Sequence, residues 1–210
     1  MKNFIKYYII PLLIALGLLV VVQRFFITQY TSSGALVEWG IEPNDRILVN
    51  RWAYRSSSPP ERGDRVVFHH PYMPEKPICF ATCKALPGDT LWYDTELNTF
   101  ALQSQVKTAV PIVVPEKGVD IEVTPYNARL LWHLLKLEKA FVTYRANGEL
   151  LINGKRVKHV AFLNDYFWLS THATTYGLIP LNAILGAPLC ISFGMKEGSL
   201  RFDRLFLTFE

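Results

Sequence analysis

The stretch "NDRILVNRWAY" (residues 44–54) contains, in Arg46–Asn50, a short run of β-branched and aliphatic residues in partial alternation with polar ones, the pattern of a half-buried strand. The same pattern returns in "DRVVFHH" (64–70), "PICFATCKA" (77–85) and "TLWYD" (90–94). Between these runs, "SSSPPERGD" (56–64) excludes helix and central strand, and "LPGDT" (86–90) sets Pro and Gly for a tight turn. Farther on, "FVTYRANGELLINGKRV" (141–157) carries two Asn-Gly pairs flanked by strand-like residues, a strong hairpin signal. Short strands punctuated in this way predict a mainly β domain, a barrel or a sandwich. One segment departs from it. In "TPYNARLLWHLLKLEKA" (124–140), Thr124 suits an N-cap, Pro125 suits the first helical position, and Leu130, Leu131, Leu134 and Leu135 form a helical stripe. The expected organisation is residues 1–29 as N-terminus and anchor, 30–97 with 166–210 as the core β domain, and 98–165 as an inserted β/α subdomain.

The apolar excess of the chain is local. From Tyr7 to Val22 the sequence "YYIIPLLIALGLLVVV" carries no charge, and apolar character resumes after Gln23 and Arg24. At about 1.5 Å per residue, residues 4–28 suffice to cross a bilayer if Arg24 snorkels to the headgroups. A cleavable secretory signal starts in the same way, but the run is long and no clear A-x-A site follows it. Lys2 and Lys6 favour a cytoplasmic N-terminus, which sends residues 30–210 across the membrane.

Lys and Arg total 22 against 18 Asp and Glu, a net charge of +4, and the basic residues are scattered, so no nucleic-acid partner is expected. Cys79 and Cys83 lie about 13 Å apart along one strand and cannot pair with each other. Either could bridge to Cys190, or all three serve as small buried hydrophobes. His69 and His70, as strand neighbours, point to opposite faces, so neither metal nor cofactor is expected.

Taken in order, several blocks resemble bacterial signal peptidase I, a membrane-anchored serine endopeptidase family that removes signal peptides from exported proteins. They are "NDRILVNRWAY", "RGDRVVFHHP" (62–71), "ALPGDTLWYD" (85–94), "VPEKGVDIEVTPYN" (114–127), "LLINGKRV" (150–157), "DYFWL" (165–169) and "YGLIPLNAILG" (176–186). The resemblance covers about residues 5–195. It implies a β ectodomain on the outer face of the bacterial inner membrane, with lipid as a partner. It also implies that Tyr166, Phe167 and Trp168, readable as a core-plus-interface strand, lie near the membrane surface.

The family's chemistry rests on a Ser-Lys dyad, in which a lysine kept neutral by an apolar setting takes the serine's proton. Matching "SGAL" (33–36) to the family's S-x-S-M puts Ala35 at the nucleophile and Leu36 at the methionine. Counting back from "ALPGD" puts Ala81 at the base and Thr82 at the arginine after it. Lys84, an odd number of positions from Ala81, points to the other face, and Lys76 in "HPYMPEKP" (70–77) would have to reach over. Ser33 corresponds to an oxyanion-hole serine, or becomes the nucleophile if the register slides by two. The bracing Asp, Ser and Arg of the family are replaced by "STHATT" (170–175). The resemblance therefore implies a scaffold without the dyad, binding peptides around Ser33, Leu36 and Ala81, or binding an active signal peptidase. Two alternatives are an active peptidase using Ser33 with an unidentified base, and a purely structural β domain whose groove is filled by side chains.

Overall fold

The computed structural model describes residues 5–32, 34–94, 99–101, 109–138, 141–145 and 147–209. A π-helical turn, Ile5–Ile9, leads into α1 (Ile10–Phe25), β1 (Ile27–Thr31), β2 (Arg46–Asn50), β3 (Arg65–His69), β4 (Ile78–Ala85), β5 (Thr90–Asp94) and β6 (Thr99–Ala101). After these come β7 (Val110–Val113), β8 (Asp120–Glu122), α2 (Ala128–Glu138), β9 (Val142–Tyr144), β10 (Leu150–Ile152), β11 (Lys155–Val157) and β12 (His159–Ala161). The chain ends with β13 (Tyr166–Ser170), β14 (Thr175–Pro180), β15 (Ile184–Lys196) and β16 (Ser199–Arg201). The fold is mainly β, and it divides into two compact units, Met1–Ser58 with Leu185–Glu210, and Pro59–Ile184.

In the first unit β2 lies between β1 and β15, and β16 folds back on β15, all antiparallel. Ile47 and Val49 are fully buried while Arg46, Leu48 and Asn50 are partly exposed, the period-two burial that the alternation requires. The expected membrane-spanning helix over residues 4–28 is cut short. Ile27 and Thr28 leave the helix because they pair with Asn50 and Val49. The 16 residues of α1 span about 24 Å, less than the hydrocarbon core, and among the described residues no helix is long and apolar enough to cross a membrane. Lys2 lies outside the described residues. From Tyr7 to Val20 the helical side chains are nonetheless exposed all round.

In the second unit β4 pairs with β3 and β13, and β13 also pairs with β14. The core gathers round α2, whose Leu131, Leu134 and Leu135 pack with Leu91, Phe162 and Tyr166. Its start obeys the capping signal: Asn127 N–H donates to Thr124 Oγ1 (3.3 Å) and Thr124 N–H donates to Asn127 Oδ1 (2.8 Å). Both Asn-Gly pairs close hairpins. Ile152 faces Lys155 across Asn153 (φ 51°) and Gly154 (φ 76°), the two left-handed residues that a two-residue turn between twisted strands demands.

Tyr166, Phe167 and Trp168 are all buried, which corrects the expected interfacial placement. The strand has neighbours on both edges, and both of its faces are covered. No side of it is left for a membrane surface.

Candidate functional site

The loop after β1 is held by main-chain bonds. Ser32 N–H donates to Asp45 O (2.8 Å) and Asn44 N–H to Ser32 O (2.9 Å). The Ser32 hydroxyl is buried and donates to the Gly34 carbonyl, so it is spent on the turn. Ser33 lies outside the described residues. Ala35, the position expected for the nucleophile, is exposed and carries only a methyl group. Leu36 is partly buried and exchanges hydrogen bonds with Ile41 (2.9 and 3.1 Å), closing the short 3-10 turn Val37–Trp39. Trp39 and Ile41 are the buried anchors of this loop.

Ala81 belongs to the second unit. It faces Val66 across β3 and β4 and has no exposure to solvent. Position 81 is a packed core position that no side chain in its place could use for proton transfer without first making room. Lys84 is exposed on the opposite face, as alternation requires, and Lys76 sits in the turn after β3, its carbonyl accepting a bond from His69 Nδ1 (3.0 Å). The three thiols are free: burial raises Cys79 and Cys190 above the ordinary thiol value, and burial with the nearby Asp64 charge pushes Cys83 up to about 12. None is a ready thiolate nucleophile.

The segment expected to lack the family's bracing residues is a tight turn between β13 and β14. Thr171 N–H donates to Thr174 O (2.8 Å) and Thr174 N–H to Thr171 Oγ1 (2.9 Å), with neither carboxylate nor guanidinium between them. Among the described residues no group of three His, Cys, Asp or Glu side chains is placed to hold a metal ion. His69 and His70 diverge: His69 bonds the Lys76 carbonyl, whereas His70 packs against the rings of Phe68, Tyr72 and Tyr176.

The motif blocks have physical roles. Arg62 reaches Asp89 (2.7 Å), joining "RGD" to "LPGD", and Asp89 in turn accepts from Leu86 N–H (2.6 Å). Asp165 accepts from Lys117 N–H (2.8 Å), joining "VPEKG" to "DYFWL". Two features were not legible in the sequence. One is the buried contact of Arg204 with Asp45; the other is a cavity beside His69 and Lys76. Neither has a local signature, since each joins residues far apart in the chain.

Comparison with known proteins follows the same blocks. The family model described as "Signal peptidase, peptidase S26" matches residues 4–108, which include α1, the Ser32–Ile41 loop and β4 with Ala81. No curated protein matches the chain. The match spans half of the chain, and with the motif blocks folded into the strands and turns just described, this protein belongs to the signal peptidase S26 family.

Proposed function

We propose that this chain is a membrane-anchored, catalytically degenerate signal peptidase relative that holds extended apolar segments of exported proteins, or an active signal peptidase, without cutting them. The reading is supported by what stands at the two positions matched to the dyad: Ala35 is an exposed methyl group, and Ala81 is sealed in the core. Neither can attack a carbonyl or accept a proton.

Binding has support in the first unit. A cleft of about 620 Å³ is lined from β1, β2 and β15, with Ile27, Leu48, Phe193 and Phe206 as apolar walls and Arg51 as a charged group, while the Gln29 carboxamide in it donates to Ser192 Oγ. Among the described residues β1 pairs with β2 alone, so its other edge is available for strand addition by an extended peptide.

The membrane location rests on the N-terminal run. Ile5–Ile9 and Ile10–Phe25 follow each other without a break, about the number of residues that a membrane-crossing segment needs, although neither helix alone is long enough. Phe26 stacks on Trp52 at 4.6 Å, and the Arg55 guanidinium covers the same indole at 3.5 Å, an amphipathic cluster suited to a headgroup layer just past the helix. The N-terminus would then face the cytoplasm and the β units the outer side of a bacterial inner membrane.

The test is a preprotein incubated with the full-length protein in detergent micelles and followed on a gel. The expected result is an uncut preprotein that co-isolates with the chain. Cleavage that Ser33→Ala abolishes would show instead that Ser33 is a nucleophile and the reading wrong.

A further inference from the structure

The second unit carries a half-open cavity of about 300 Å³ beside the turn that follows β3. Its apolar walls are Pro71, Leu137 and Pro180. Its polar groups are unequal in what they have left to give. Glu138 is saturated: Oε2 accepts from Leu163 N–H (2.7 Å), while Oε1 accepts from Asn164 N–H (3.1 Å), the Asn164 carboxamide (2.9 Å) and the Tyr166 hydroxyl (3.2 Å). Four donors on one carboxylate occupy the lone pairs with which it would accept a further hydrogen bond from a ligand.

Lys76 and Asn182 are the reverse case. Both line the cavity at its solvent-exposed rim, and among the described residues neither the ammonium nor the carboxamide makes a hydrogen bond or ion pair within the protein. His69 is half committed, since its Nδ1–H donates to the Lys76 carbonyl (3.0 Å), and Nε2 is left as the ring nitrogen that can accept when it carries no proton. Lys76 is itself held at φ 44°, uncommon for a residue with a side chain, by its N–H bond to Met73 O (3.0 Å) and by the bond from His69. A cation and an amide at the open rim of a cavity, with a ring nitrogen and apolar walls beside them, match the make-up of a small-molecule site.

The three groups ask for different things. Lys76 asks for an anion, Asn182 can add a donor to the same anion, and His69 Nε2 asks for an N–H. We propose that this cavity binds an N-acylated amino acid through its carboxylate and amide N–H, the chemistry that a peptide's C-terminal residue shares with a free N-acyl amino acid. The carboxylate meets Lys76 and Asn182, the amide N–H meets His69, and a small side chain rests on Pro71 and Leu137.

Isothermal titration of the full-length protein in micelles with N-acetylalanine tests this. Saturable binding is expected, weakened about tenfold or more by Lys76→Ala, as loss of one charge-assisted hydrogen bond implies, and unchanged by Lys84→Ala on the exposed face of β4. N-acetylalanine amide should bind more weakly by a similar factor. A tetrapeptide with a free C-terminus that binds as well assigns the site to peptide ends, and binding of N-acetylalanine alone assigns it to a free small molecule. No saturable binding, equal binding of the amide, or an equal loss from Lys84→Ala overturns the proposal.

Discussion

Arg204 Nε lies 2.9 Å from Asp45 Oδ1, with both side chains withdrawn from water although 159 residues separate them. The same guanidinium donates to Gly40 O (2.6 Å) and Glu42 Oε1 (3.1 Å), and Asp45 Oδ2 also accepts from Glu42 N–H (2.8 Å). One arginine near the C-terminus thus fixes the 40–45 turn next to the Ala35 loop. Gly194 gives it room: a Cβ there would sit 2.7 Å from Asp45 Oδ1 and 3.0 Å from Arg204 Cδ.

Removing the arginine leaves a buried carboxylate without its partner, which costs about 3–5 kcal/mol in comparable cases. Arg204→Ala should lower the urea midpoint of the full-length protein accordingly. Gly194→Ala should also destabilise, by wedging a methyl against the pair. An Arg204→Ala protein as stable as the parent would mean that Asp45 is solvated in solution.

The exposed apolar run Tyr7–Val20 predicts retention in the membrane. Full-length protein should resist carbonate extraction, and reporters fused after residue 60 should report the outer side. Ile14→Glu combined with Leu18→Glu, at about 2.5–3.5 kcal/mol per central charge, should release the chain to the soluble fraction. Retention of that double variant would remove the anchor from residues 7–20.

Much of the scaffold was legible because its signals are local. "RILVN" buries alternate residues as its pattern requires, and Asn153-Gly154 supplies the two left-handed positions of its hairpin. The end of α1 was not legible, because Ile27 and Thr28 prolong the apolar run and only their pairing with Asn50 and Val49 makes them strand. Nor was the burial of all three of Tyr166–Trp168, read as part core and part interface, which follows from strands on both sides of β13. At the candidate site the sequence showed the identities of Ala35 and Ala81, but not that one is open to water and the other sealed.

His70 should make the fold sensitive to acid. Its Nδ1 is buried and, among the described residues, has no hydrogen-bond partner, the rings of Phe68, Tyr72 and Tyr176 pack against it, and burial holds its pKa below the ordinary 6.5. The unfolded chain therefore takes up a proton at pH values where the folded chain does not. Stability should fall as pH drops through about 6.5 and level off below the folded value. Thermal melts from neutral to about pH 5 should show a smaller fall for His70→Phe than for the parent. Identical pH dependence in the two proteins would assign the effect elsewhere.

The sharpest prediction rebuilds the dyad. Ala35→Ser adds a hydroxyl at an exposed loop position and should be nearly neutral for stability, whereas Ala81→Lys forces a long side chain into a site with no exposure opposite Val66. Overpacking there should cost about 1–3 kcal/mol. The same desolvation would lower the new amine's pKa, which is the condition a base needs. Either single variant should leave a preprotein uncut, because a serine without a base is a weak nucleophile and a lysine without a serine has no proton to accept. The double variant should cut slowly, since the turn Thr171–Thr174 supplies no bracing carboxylate or guanidinium, and a site about 1 Å loose can lose about 10²-fold in rate. The effects should be non-additive, as for groups that act as one unit. Cleavage by a single variant at the rate of the double would refute the assignment of positions 35 and 81. An inactive double variant whose structure holds the new serine and lysine more than one water apart would show that the register of the match is wrong.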